Sequence, residues 1–267
     1  MNNKPIFSGM LHTGLPDFKA LYGMGTIPMV TRQKYPGWPD KDGLPTAQWY
    51  QSLAADLVAP SGIALVDHED WKYSTQTERL ATGAKYAALY QGIKQVRPDL
   101  LLGWYMDPIR RDFWRAIWPR DSAQYLSWQA ENNDLGSIMG PVTDVYMPSL
   151  YFFYTRDTYP LNVDLLTVYL EENIREAKRI RWQYGKNTSP IYPYVIWYKH
   201  NTAILLDSDA WETTVRVVLE QADGLVLWGG WQQAWDEAAP WWVTVKARLM
   251  CKRRQQPTYE GQLVWQG

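Results

Sequence analysis

Short runs of consecutive apolar residues alternate along this chain with longer stretches whose apolar positions recur every three or four residues. The short runs, read as strands, lie at 5–10, 26–30, 62–67, 100–105, 144–150, 191–197 and 224–228. The longer stretches, read as helices, lie at 46–58, 75–96, 122–134, 163–184, 209–222 and 238–250. The helix at 75–96 carries its own boundaries: Thr75 and Glu78 have the spacing of a capping box, and Pro98 stops it. Strands that are apolar throughout, each followed by a helix, predict a parallel sheet buried on both faces. The 267 residues are close to the ~250 of a closed barrel of this kind. The predicted fold class is therefore α/β, a single distorted TIM-like (β/α) barrel of seven to eight strands over residues 1–251, with a polar peripheral tail at 252–267.

Composition narrows the chemistry. Acidic and basic residues nearly cancel, 28 against 27, which excludes the basic surface of a nucleic-acid binder. No G-x-G-x-x-G follows a strand and no Walker loop is present, which weakens a nucleotide-binding reading. There is no H-E-x-x-H or Cys/His cluster, so neither a metal nor another cofactor is expected. The single cysteine, Cys251, cannot form an internal disulfide. No apolar run approaches the length of a membrane span, and the first residues, Met1-Asn2-Asn3-Lys4-Pro5, lack the apolar core of a leader. The aromatic content is unusual, with 16 Trp and 18 Tyr against 5 Phe. Most are expected to pack between helices and sheet, and a minority to line a cleft, where a flat ring with a polar edge suits a sugar.

The most informative stretch is 61–71, in which the run Ile63-Ala64-Leu65-Val66 ends in Asp67, His68 and Glu69. Side chains alternate faces along a strand, so Asp67 and Glu69 point the same way and His68 the other, toward the helix layer. Two carboxyls this close do not both ionise cheaply, and one can keep its proton for use as a general acid. In barrels of this class the site lies at the C-terminal ends of the strands. Those ends also deliver Trp104, Tyr105 and Asp107, then Ser149 and Tyr151, then Trp197 and Tyr198, and finally Trp228 and Trp231. Asp107 has three open roles, catalytic partner, substrate ligand or cap of a helix beginning at Arg110. Arg110, Arg111 and Arg115 read as a solvated face, His12 and His200 as scattered, and the Pro- and Gly-rich loop at 35–45 as one wall of a cleft.

These residues resemble a known family. Val66-Asp67-His68-Glu69-Asp70-Trp71 is similar to the D-W-E-E-W signature of the animal-type hyaluronidases, with His68 in place of the central Trp. Met147-Pro148-Ser149-Leu150-Tyr151 resembles their P-S-I-Y strand. Tyr192-Pro193-Tyr194-Val195-Ile196-Trp197-Tyr198 resembles their L-P-Y-V-x-x-F-Y segment, one residue shorter, and Gly224-Leu225-Val226-Leu227-Trp228 their G-V-V-L-W strand. Gly43-Leu44-Pro45 also has a counterpart, and the likeness runs in order from about residue 40 to 231. The resemblance implies a distorted β/α barrel that hydrolyses β-linked N-acetylhexosaminides with retention. It implies Glu69 as proton donor, with Asp67 beside it, orienting the 2-acetamido group and raising the proton affinity of Glu69. It implies Tyr151 and Tyr198 as hydrogen-bond partners of that group and Trp228 as floor or wall of the sugar subsite. Tyr105, Asp107, Trp197 and Trp231 complete the expected substrate contacts. The acetamido carbonyl, not a protein carboxylate, would then be the nucleophile.

Two rivals remain at this level. One keeps the barrel but uses Asp107 or Asp144 as nucleophile on a sugar without the acetamido group. The other is a carbohydrate-binding barrel without turnover, built into a larger assembly such as a phage particle or a cell surface. An oligo- or polysaccharide is the partner in either case, with no nucleic acid and no membrane.

Overall fold

The structure, a computed structural model, describes residues 4–153, 163–231 and 233–253. The strands are β1 (Ile6–Met10), β2 (Gly25–Thr26), β3 (Met29–Thr31), β4 (Ile63–Asp67), β5 (Leu101–Tyr105), β6 (Val145–Met147), β7 (Tyr194–Val195) and β8 (Leu225–Gly229). The helices are α1 (Phe18–Tyr22), α2 (Ala47–Asp56), α3 (Gln76–Val96), α4 (Ala123–Met139), α5 (Val163–Tyr184), α6 (Ser208–Gln221) and α7 (Pro240–Arg253). All strand pairs are parallel, in two four-stranded runs, β2-β1-β8-β7 and β3-β4-β5-β6.

Backbone hydrogen bonds close these runs into a ring. Between β6 and β7, the Tyr146 amide donates to Pro190 O at 2.9 Å, the Tyr194 amide to Pro148 O at 2.9 Å and the Leu150 amide to Tyr194 O at 2.8 Å. At the other seam one length of chain changes partner: the Ile27 amide donates to Ser8 O of β1 at 3.1 Å, while Pro28 O accepts from Leu65 of β4 at 3.0 Å. β2 and β3 thus occupy one position, and the described residues form a barrel of seven strand positions, the TIM-like α/β architecture predicted. The prolines explain why β6 and β7 are shorter than the apolar runs: Pro148, Pro190 and Pro193 have no amide to give to a ladder.

Period-two alternation sorts the strand residues into two layers. Ile63, Leu65, Tyr105, Val145, Met147, Tyr194, Ile196, Val226 and Trp228 pack with one another inside the ring. Ala64, Val66, Leu102 and Trp104 face outward, against α2, α3 and α4 through Trp49, Leu53, Tyr86, Leu89, Ile93 and Leu135. The helices start where the sequence expects. Thr75 Oγ1 accepts from the Glu78 amide at 3.2 Å and Glu78 Oε2 from the Thr75 amide at 3.1 Å, a complete capping box. Two boundaries differ, and one short helix is additional. α4 continues to Met139, and α7 runs to Arg253, beyond the boundary expected at 251; residues 254–267 lie outside the described residues. The five-residue α1 is too short to show periodicity; Asp17, whose Oδ1 accepts from the Ala20 amide at 3.0 Å, opens it and left-handed Gly23 closes it.

Candidate active site

Where the strands end, the barrel opens into a cavity of about 630 Å³, within the range of small-molecule sites. The inner-face alternation of β4 carries directly into it: after Ile63 and Leu65 come Asp67 and Glu69, both lining the cavity. The same parity brings in Tyr105 from β5, Tyr151 after β6, Tyr198 after β7 and Trp228 from β8. Trp231, 60 % exposed, stands edge-on to Trp228 at a ring separation of 5.4 Å. The rim is a hairpin after β7, in which Lys199 and Ile204 pair through a 2.8 Å backbone hydrogen bond across the left-handed residue Asn201; His200, Asn201, Thr202, Ala203 and Leu205 line the mouth.

The electrostatics are those of two neighbouring acids on the cavity wall, Asp67 half-buried and Glu69 more open to solvent. Burial pushes Asp67 up to about 7, with the charges of Glu69, Asp107 and Asp70 adding to it. Burial also raises Glu69; Arg111 and then Arg110 oppose this, while Asp107 and Asp70 reinforce it. Burial is thus the leading cause of the rise in Glu69, while the repulsion within the acid pair adds to the rise in Asp67. Asp67 Oδ1 and the Tyr151 hydroxyl are buried without a hydrogen-bond partner, polar atoms left for something that enters the cavity. Behind them, Tyr105 Oη and the fully buried Ser149 Oγ lie 3.3 Å apart, and Arg111 donates to the same Ser149 oxygen.

His68 faces the helix layer as expected. It stacks on Trp38 at 4.7 Å and meets Trp71 edge-on at 4.3 Å. Two expected substrate contacts are corrected. Asp107 does not line the cavity, although its parity with Tyr105 predicts that it should. Met106 between them adopts a left-handed φ of 64°, which breaks the alternation and turns Asp107 back among the helix-layer residues Tyr73 and Tyr86. There it is 2 % exposed and accepts from the Tyr73 hydroxyl at 2.7 Å, with Arg110 at 3.8 Å. Nor does it cap a helix: residues 108–114 are irregular, and the next helical turn, a 3-10 turn at Arg115–Ile117, is preceded by Trp114. Trp197 borders the cavity but belongs to the outer face, one residue from the inward Ile196. It is 2 % exposed and stacked on Trp241 of α7 at 3.8 Å, which makes it wall and not platform.

Other expectations also change. Asp144 sits at the opposite, N-terminal end of β6, held by Lys94 at 2.9 Å and Lys186 at 2.7 Å, so it is no nucleophile for this cavity. Arg110 and Arg111 are not a solvated face. Arg110 lies over the Tyr73 ring at 3.9 Å, and Arg111 lies over Phe153 at 4.3 Å and Tyr151 at 5.3 Å. Arg115 pairs with Asp112 and Glu131. The 35–45 loop does not wall the cavity; it packs behind β4, its Lys41 carbonyl 2.9 Å from His68 Nε2, and Tyr35–Pro39 border a separate hollow of about 440 Å³. No sequence pattern marks Arg111 or the His200–Leu205 rim as part of the site, because both lie in irregular segments where no periodicity operates.

No family model matches the chain. Human hyaluronidase-1 is 26 % identical over 268 residues, covering 81 % of this chain and 59 % of the human protein. The chain thus spans less than two thirds of the curated relative it matches. The crystal structure of bee venom hyaluronidase superimposes with a TM-score of 0.60 at 14 % identity, covering 94 % of this chain and 96 % of that one. The bee venom protein in complex with a hyaluronic acid tetramer gives the same TM-score and identity, covering 94 % and 95 %.

Proposed function

We propose that this chain, a distant relative of the animal and bee venom hyaluronidases by sequence and by fold, is a retaining glycoside hydrolase acting on β-linked N-acetylhexosaminide chains. The observation that carries the reading is the acid inventory of the cavity. Among the described lining residues the carboxyls are Asp67 and Glu69, both shifted toward the protonated form and both delivered by one strand end. A protein nucleophile would require a carboxylate ~5 Å from the acid across the sugar. Asp107 is turned away and Asp144 is at the far end, so the nucleophile is assigned to the substrate's own 2-acetamido group.

In this mechanism protonated Glu69 gives its proton to the glycosidic oxygen as the acetamido carbonyl oxygen bonds to the anomeric carbon and the glycosidic bond breaks. The leaving sugar departs as an alcohol and an oxazolinium ion remains. Protonated Asp67 and the unpartnered Tyr151 hydroxyl hold the acetamido group, together with Tyr198. Water then enters on the face the leaving sugar vacated and Glu69 as carboxylate takes its proton; the water oxygen bonds to the anomeric carbon as the bond to the acetamido oxygen breaks, which restores the acetamido group and gives retention. Trp228 and Trp231 supply the apolar surface on which the pyranose stacks. Bee venom hyaluronidase has been crystallised with a hyaluronic acid tetramer, which supports an oligosaccharide of this general shape as ligand here.

The test is incubation with hyaluronan, chondroitin, chitin and peptidoglycan fragments, with mass spectrometry of the products, beside Glu69→Gln. Loss of a general acid costs ~10²–10⁴-fold. A Glu69→Gln variant that turns over as fast as the parent ends the assignment. Tight binding of a thiazoline that mimics the oxazoline supports the acetamido route; no binding, with turnover intact, returns the nucleophile to the protein. The carbohydrate-binding alternative is disfavoured by the cost of burying the Asp67 carboxyl beside a second acid, from which a binding protein gains nothing.

A further inference from the structure

We propose that Arg111 is a positioning residue of this cavity, bracing the wall that carries Tyr105, Ser149 and Tyr151 and balancing the acids around Glu69, so that this one carboxyl can both give and take a proton. The proposal rests on the reading of Glu69 as acid and base.

The geometry is specific. Arg111 leaves the irregular segment after β5 and touches the next strand position around the ring. Its guanidinium donates to Ser149 Oγ, which is itself 3.3 Å from Tyr105 Oη, and its planar group lies 4.3 Å from the Phe153 ring and 5.3 Å from the Tyr151 ring. A planar donor that both stacks and hydrogen-bonds fixes orientation in a way that an ammonium cannot. Ser149 is fully buried and Tyr151 nearly so, so the brace is inside the protein.

The charge matters because of what else faces Glu69. Asp67 and Asp70 lie on its own strand end, and Asp107 and Arg110 come from the segment after β5. Tyr151, whose proton affinity burial raises, comes from the end of β6. His200, which burial keeps toward the neutral form, comes from the rim after β7. Asp107, Asp70 and burial push Glu69 toward its protonated form. Of the cations, Arg110 is engaged with the buried Asp107 at 3.8 Å and with the Tyr73 ring. Arg111 is the larger opposing influence on Glu69. A retaining cycle needs Glu69 protonated in its first half and ionised in its second. A carboxyl whose proton affinity lies far above the working pH performs the second half poorly. Arg111 keeps it within reach of both.

The test compares Arg111→Gln with Arg111→Lys. Glu69 is titrated by carbon-13 NMR of labelled glutamate side chains, its resonance assigned by its disappearance in Glu69→Gln. Loss of the charge in Arg111→Gln should raise the Glu69 midpoint, and both limbs of the activity profile should move to higher pH with it. Arg111→Lys should leave the midpoint near the parent value yet raise KM, since charge remains while the stacked, hydrogen-bonded brace is lost. An unchanged midpoint in Arg111→Gln, or an equal shift in Arg111→Lys, overturns the proposal. If Arg111→Gln does not fold, Arg111→Met, which retains apolar contact with Phe153 and Tyr151, carries the same titration. The titration needs no substrate, so it separates failure of this proposal from failure of the glycosidase assignment, which appears as absence of turnover in the parent.

Discussion

Replacing Asp67 by Asn should make the protein more stable above neutral pH while removing its activity. In the folded chain Asp67 holds its proton up to about pH 7, against an ordinary value of 3.8 once unfolded. Between those values the unfolded chain has released a proton that the folded chain keeps. Folding then takes up a proton, so stability falls as pH rises through this window and levels off above it, where both forms are ionised. A rise of roughly three pH units at ~1.4 kcal/mol each sets a ceiling of about 4 kcal/mol. Water in the open cavity screens part of the burial cost, leaving about 2–4 kcal/mol. Asparagine has nearly the same shape and no charge to bury. The stability difference between variant and parent should therefore be small near about pH 4 and open to about 2–4 kcal/mol in favour of the variant near about pH 8. Urea unfolding followed by fluorescence of the 16 tryptophans at several pH values measures it. Parallel pH dependence in the two proteins would show that Asp67 does not keep its proton in the fold, and the acid-pair argument would go with it.

Trp231 is 60 % exposed, so Trp231→Ala should change stability by less than about 0.5 kcal/mol but raise KM severalfold to tenfold, as loss of a stacking surface worth about 0.5–1.5 kcal/mol requires; steady-state kinetics beside a melting curve checks both. Gly230 has φ +81° and a Cβ there would lie 2.1 Å from His12 Nδ1, so Gly230→Ala should cost at least about 1–3 kcal/mol in chemical denaturation and weaken substrate binding by displacing Trp231. Asp144 is at the closed end of the barrel. Burial works to raise its proton affinity, but hydrogen bonds from Lys186, Lys94 and the Leu102 amide hold it below the ordinary carboxylate range. Its contribution is present at neutral pH and lost as pH falls through that lowered value. Asp144→Ala should thus destabilise by about 2 kcal/mol or more at neutral pH, with a smaller difference in acid, and leave kcat unchanged.

How much of this was legible in the chain depends on where period-two alternation operates. It placed Asp67, Glu69, Tyr105, Tyr151, Tyr198 and Trp228 at one cavity, because each lies on or just past an inward-facing strand position. It also contained the correction for Trp197, which is out of phase with Tyr194, Ile196 and Tyr198. It failed for Asp107 because one left-handed residue, Met106, resets the phase, and nothing about a methionine announces such a conformation. The 35–45 loop, Arg111 and the His200 rim lie where tertiary packing alone decides the path. The aromatic excess divides as composition suggested: Trp49, Trp104, Trp128, Trp197, Trp211 and Trp242 are buried in the packing, while Trp228 and Trp231 face the cavity.

His68 shows why a change inside a signature can leave its chemistry intact. The resembling family has Trp between the two acids, and this chain has an imidazole. Because strand residues alternate, the middle position never faces the cavity; it faces the helix layer, where the requirement is a flat ring. Burial holds His68 toward its neutral form, with the Lys41 carbonyl, Asp70, Arg32 and Lys85 as lesser influences. A neutral ring satisfies the packing: it stacks on Trp38, meets Trp71 edge-on and donates Nε2–H to the Lys41 carbonyl at 2.9 Å. That hydrogen bond ties the 35–45 loop to the back of β4. The Tyr86 hydroxyl donates to His68 O at 3.0 Å and anchors the strand end to α3. The residue between the two acids therefore acts as their clamp, fixing the backbone from which Asp67 and Glu69 project, and an indole or a neutral imidazole can serve equally there.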